Sequence, residues 1–245
     1  MMNRCVHFTA AMGASGLIAM TAMPAAAAEL DALRLLSQTQ FRALAEDVGA
    51  VLSYKGLVPA EPLGVTGFDI AASVGFTTLG QRDLWRQASP GTSIPATVPV
   101  PALRVWKGLP GNVDIGAVIA KVGNTDIGLF GGELRWAFVP GSITMPAVAV
   151  RGAFTRMTGA QQLDVDTRSL DLSISKGILN FTPYAGVGRV WTRATPNDVP
   201  GLVRESFTQD KIFAGLNVNL GVNLAFEVDR TGGVTSYGIK AGVRF

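Results

Sequence analysis

The feature that most limits the fold of this chain is a two-residue alternation that sets in near Leu63 and runs on to Phe245. In the first run, Thr66, Phe68, Ile70, Ala72, Val74 and Phe76 share one parity, while Asp69, Ala71, Ser73, Gly75 and Thr77 share the other. Successive side chains of a strand point to opposite faces, so such a run has one apolar wall and one polar or small wall. Further alternating runs at 102–109, 112–122, 126–138, 146–156, 162–175, 178–192, 207–220, 222–230 and 234–245 give ten strands. Eight or twelve also fit, because the run at 102–109 is short and the stretch at 50–55 is ambiguous. The Pro-containing segments 79–100 and 193–206 read as long loops. Leu109-Pro110-Gly111, Ser175-Lys176-Gly177 and Leu220-Gly221 read as short links. Up-and-down connection of ten strands sends the long loops to one end and the short links to the other.

The register follows from one turn. A two-residue hairpin at Asn124-Thr125 sets Ile119 opposite Phe130, Ile115 opposite Leu134 and Val113 opposite Trp136 on the apolar wall. The same register sets Asp114 opposite Arg135 on the polar wall, and a slip of one residue would spoil both walls. On the polar parity, Asp69, Asp114, Glu133, Asp171, Glu227 and Asp229 are met by Arg104, Arg135, Arg151, Lys211, Lys240 and Arg244. Glu227 and Lys240 fall diagonally across the last hairpin, within reach of each other. Charges leave water only when paired, so this balanced set reads mainly as a salt-bridged interior. A polar constriction that selects solutes is the other reading. The small apolar-wall residues Ala72, Ala117, Ala185, Ala214 and Ala241 oppose charges on the other wall, which suits a closed barrel whose outside is lipid.

The N-terminus and the composition point the same way. Arg4, the apolar stretch 8–22 and the small residues Ala26 and Ala28, which fit the A-x-A rule, read as a secretory signal peptide, cleaved before Glu29. The sole Cys (Cys5) and the sole His (His7) fall within it, and its loss leaves 20 basic and 18 acidic residues. The basic residues are scattered, which excludes nucleic acid as a partner. Charged residues are only 16% of the chain, yet no mature segment has the ~18 consecutive apolar residues of a membrane helix. Only a closed barrel satisfies every backbone group in lipid without helices. Between leader and barrel, 29–62 forms a helix and linker: Leu33, Leu36, Phe41, Leu44, Val48 and Val51 recur at mostly helical steps, and Ser37 with Gln40 suits a capping box. That helix has three readings, as a periplasmic cap on the rim, as a plug entering the barrel mouth by its Phe41–Val51 face, or as an interfacial helix.

The chain closes on Tyr237-Gly238-Ile239-Lys240-Ala241-Gly242-Val243-Arg244-Phe245, with Tyr237, Ile239, Ala241 and Val243 alternating behind a terminal aromatic. This resembles the last strand of small Gram-negative outer-membrane β-barrel proteins. Gly215 to Gly221, Phe226 to Gly233 and Pro183 to Gly188 resemble earlier strands of such barrels. The resemblance implies an all-β, antiparallel transmembrane barrel over 63–245 in the bacterial outer membrane. It also implies outer-membrane lipids and lipopolysaccharide as surroundings, and periplasmic chaperones and the barrel-assembly machinery as partners in biogenesis. Phe76, Phe154, Trp191 and Tyr237 would form an outer aromatic girdle, with Trp136, Phe138, Phe181 and Phe245 as the inner one. Without His or Cys the mature chain lacks a Ser–His pair and the usual transition-metal ligands, so no catalytic residue, cofactor or metal is expected. The leading expectation is a non-enzymatic barrel, either a narrow passive conduit or a structural component of the envelope. Loop-mediated binding of a ligand or lipid, or adhesion, through Leu84, Trp85, Leu202 and Val203 is the alternative. A lipid-modifying enzyme ranks last.

Overall fold

The computed structural model describes residues 30, 32–91, 93–122 and 127–245. The leader at 1–28, with Cys5 and His7, and the Asn124-Thr125 turn lie outside these residues. Ten antiparallel strands close into an up-and-down barrel: β1 (Phe68–Thr78), β2 (Thr97–Leu109), β3 (Val113–Lys121), β4 (Gly128–Val139), β5 (Ala147–Thr158), β6 (Leu163–Ser175), β7 (Phe181–Pro196), β8 (Glu205–Asn219), β9 (Asn223–Thr231) and β10 (Val234–Arg244). The seam pairs β1 with β10, Asp69 opposite Arg244 and Thr77 opposite Ser236. In the β3–β4 hairpin Ile119 faces Phe130, Ile115 faces Leu134, Val113 faces Trp136 and Asp114 faces Arg135, the register read from the alternation. β1 starts at Phe68 rather than near Leu63, because the chain first turns through 64–67, where Gly64 takes a φ of +79°.

Side-chain parity separates the walls. Ile70, Leu103, Ile115, Leu134, Leu170, Val187, Ile212 and Val243 are exposed on the outside, whereas Asp69, Asp114, Arg135, Asp171, Glu227 and Lys240 are buried inside. A soluble barrel would invert this arrangement. Trp136, Phe138, Phe181 and Phe245 stand outward near the short-turn end, and Phe154, Trp191 and Tyr237 stand outward nearer the long-loop end.

The N-terminal segment lies within the barrel. A capping box between Ser37 and Gln40 starts α1 (Gln38–Leu52), satisfying amides that a helix end leaves orphaned. Its Phe41, Leu44, Ala45, Val48 and Leu52 form one apolar face. That face packs into a core with Leu129, Met157, Leu163, Val165, Ala194 and Phe207, all at the long-loop ends of their strands. The helix therefore stoppers the loop-end mouth, the opposite end from the periplasmic rim cap that is one of its three readings. The segment between β1 and β2 is also more than a loop. It carries α2 (Arg82–Ala88), whose Trp85 and Ala88 are buried on the same core. Leu202 joins that core too, and of the four loop residues read as contacts for a ligand only Val203 is well exposed.

Candidate functional site

Beyond Leu52 the chain leaves the helix and runs down the lumen to the short-turn end, where it enters β1. Residues 53–60 are buried throughout, yet they form no helix and no strand, so their amides and carbonyls find no partners in a ladder. An unpaired buried backbone group costs about 1–3 kcal/mol. The wall supplies the missing partners. Thr155 Oγ1 donates to the Leu52 carbonyl (2.7 Å), Lys211 Nζ to that of Tyr54 (2.6 Å) and Arg104 Nη1 to that of Lys55 (2.6 Å). The Arg135 guanidinium donates to the Pro59 carbonyl. In the other sense, the amides of Leu57, Ala60 and Leu63 donate to Glu227 (3.0 Å), Ser175 (3.1 Å) and Asp114 (3.0 Å). The interior charges thus hold a strandless stretch of the chain's own backbone.

They also pair with one another. Arg135 meets Asp114 at 2.6 Å, Arg151 meets Asp171 at 2.7 Å and Glu133 at 3.7 Å, and Lys211 meets Asp171 at 3.6 Å. Lys240 lies 2.7 Å from Asp69, which Arg244 also approaches at 3.7 Å. Lys240 therefore pairs across the seam with β1 rather than diagonally with Glu227. The reason lies in Glu227 itself, which is occupied by the Leu57 amide and the Tyr184 hydroxyl (3.0 Å). Asp229 is met by Lys55 of the threaded segment at 3.2 Å. Arg104 has no carboxylate partner among the described residues and bonds instead to Ser73 (2.9 Å) and to the threaded backbone.

Several interior residues escaped the sequence reading, Thr155 and Ser175 among them. Tyr54 and Lys55 sit in the ambiguous stretch after the helix, where neither periodicity applies. Trp106 is an inward aromatic on an otherwise ordinary strand. It donates to Glu133 (2.8 Å), and the Lys240 ammonium lies 4.8 Å from the centre of its ring. Tyr184 shares parity with the inward charges, a signal that was available. Two glycines make the fit possible. A Cβ at Gly56 would fall 1.5 Å from Arg151 Nη1, and one at Gly238 would fall 2.6 Å from Leu57 Cδ2. Leu57 itself takes a left-handed φ of 55° while fully buried.

Outside the spanning strands, burial pushes the Asp47 carboxyl of α1 above its ordinary range, against the lowering effect of bonds from the Gln81 amide (2.7 Å), Trp85 Nε1 (3.2 Å) and the Gly80 backbone. A void of about 30 Å³ remains beside Tyr54, Lys55 and Arg104, room for about one water. No group of three or more metal-ligating side chains occurs among the described residues.

No family model matches the chain, and no curated protein is similar to it in sequence. Among solved structures it is similar to the N-terminal β-barrel domain of Pseudomonas aeruginosa OprF, at 14% identity and a TM-score of 0.39, covering 74% of this chain and 99% of that one. It is similar also to the KdgM porin (10%, TM-score 0.36, covering 72% and 99%) and to the outer membrane enzyme PagL (14%, TM-score 0.33, covering 71% and 98%). Likeness at this level assigns nothing to this chain, and the closure at ten strands rests on its own pairing of β1 with β10.

Proposed function

We infer that this chain is an integral outer-membrane barrel that is stoppered by its own N-terminal segment and serves as a closed structural component of the envelope. One observation carries the reading: the segment 38–63 runs through the lumen, and Asp114, Arg104, Arg135, Lys211, Glu227 and Asp229, which would line a conduit, are bonded to it. The apolar outer wall and its two aromatic levels support a lipid surround. Long loops face the cell surface and short turns the periplasm in such barrels, so α1 would stopper the outer mouth. In biogenesis, the alternating Tyr237, Ile239, Ala241, Val243 and Phe245 would be the strand read by the barrel-assembly machinery. No enzymatic activity is proposed, since the interior carboxylates are engaged in backbone and ion-pair contacts that hold the fold.

The test is planar-bilayer recording of the full chain recovered from the outer-membrane fraction. The expected trace has no steady conductance, and stable discrete openings of the intact protein would defeat the closed reading. Recovery as a detergent-free soluble monomer would defeat the membrane assignment as well.

A further inference from the structure

Most of the outer wall is apolar, but one sector is not. Arg168 (β6), Arg189 (β7), Asp210 (β8) and Arg230 (β9) are all exposed on the outward face of four consecutive strands. Arg168 lies seven residues above Ser175, Arg230 seven above Asn223 and Arg189 eight above Phe181, counting from the short-turn ends. At about 2.5 Å of height per residue of a tilted strand, they stand roughly 17–20 Å up a band about 25 Å tall. That is the upper third, from which an arginine reaches the headgroup layer by extending its stem. On the far side, the described residues of β1 to β4 carry Phe76, Pro101 and Phe130 near this level, with Lys121 as the single charge.

The charges are not balanced. Arg189 pairs with Asp210 at 3.0 Å. One step higher, Asp166 stands opposite Arg156 on one side and Arg193 on the other. Arg168 has only Phe154 and Trp191 opposite it, and Arg230 has only Ile212 and Thr235. Neither forms a hydrogen bond or ion pair with any described residue. Beneath Arg230 runs an open groove of about 710 Å³, floored by Val150, Leu170, Leu172, Val187 and Ile212 and reaching up to Arg189, Trp191, Asp210 and Arg230; Arg168 flanks it, opposite the lining Trp191 in the register. Gly152, beside Leu170 in the register, has open space where a Cβ would be, which deepens the floor.

We propose that this groove across β5–β9 binds a bisphosphorylated lipid of the outer leaflet, one phosphate held by Arg230, the other by Arg168 at the groove's edge, and its acyl chains laid along the apolar floor. An unpaired guanidinium against hydrocarbon is costly, and a phosphate is the partner that a planar donor fork matches best. Arg189, already engaged by Asp210, closes the site from between. The proposal rests on the membrane reading above and specifies which lipid chemistry that wall selects.

The experiment uses the full folded chain in neutral detergent, its folding checked by heat-dependent gel mobility, which keeps a failed barrel apart from a failed site. Retention of bisphosphorylated lipid A is compared with retention of the same lipid after dephosphorylation, for the wild type and for the R168Q/R230Q variant. The expected result is stoichiometric retention of the phosphorylated form, weakened about 25-fold in the variant, at a factor of about five per arginine, with poor retention of the dephosphorylated form by both. Equal retention of the two lipids, or no loss in the variant, would overturn the proposal. Inorganic phosphate binding as tightly as the lipid would reassign the arginines to a free anion and overturn it too. A dimer that the variant disrupts, with no lipid retained by either form, would replace it with an interface between two copies.

Discussion

At Gly56 a hydrogen atom stands where the Arg151 guanidinium leaves no room for carbon. Gly56→Ala must displace either the threaded backbone or Arg151, which is tied to Asp171 and Glu133. Overpacking of this kind costs about 1–3 kcal/mol, so the thermal midpoint of the detergent-solubilised barrel should fall, and an unchanged midpoint would mean that the segment is not seated against Arg151. Arg135 tests the pairing directly. Its removal in Arg135→Ala leaves Asp114 buried with only the Leu63 amide, a loss of about 3–5 kcal/mol for a broken interior pair. Arg135→Lys keeps the charge and should recover part of that loss. Equal damage from both variants would show that the fork geometry, rather than the charge, is what Asp114 requires.

Among the elements, α1 is the one whose hold depends on acidity. Burial raises Asp47 above its unfolded value, so the docked helix keeps its proton to higher pH than the released one does. The resulting advantage is complete below the ordinary carboxylate range and fades as pH climbs through the raised value. Hydrogen exchange of α1 amides, corrected for intrinsic rates, should show stronger protection on the acid side, and Asp47→Asn should flatten the trend. Protection that grows toward neutral pH would contradict the desolvation argument. The same element shows how far sequence reaches. Strand number, hairpin register and inward charges were legible because a period of two fixes which wall each side chain joins. The Ser37–Gln40 box marked the start of α1. Its location was not legible, since an amphipathic pattern says that a face is buried without saying against what. The descent from Ser53 was least readable, because a stretch whose backbone bonds go to distant side chains has no period of its own.

For the molecule as a whole, the route of the chain fixes which side its first described residues occupy. The Ala32 amide donates to the Ala88 carbonyl at the loop end (3.0 Å), while β1 begins at the turn end. Given long loops at the cell surface, an epitope inserted just ahead of Leu30 should be labelled by antibody on intact cells. Labelling only after permeabilisation would place that end in the periplasm and invert the threading. The route also constrains how the protein is made. β1 is both the continuation of the threaded segment and the stave that closes the hoop against β10. Were the hoop shut first, a capped helix would have to be drawn through a bore crowded with inward side chains such as Trp106, Arg135 and Tyr184. The tail is therefore best laid down before closure, serving as the mandrel around which the staves are bent, and its polar contacts are then made as the last seam zips rather than after it.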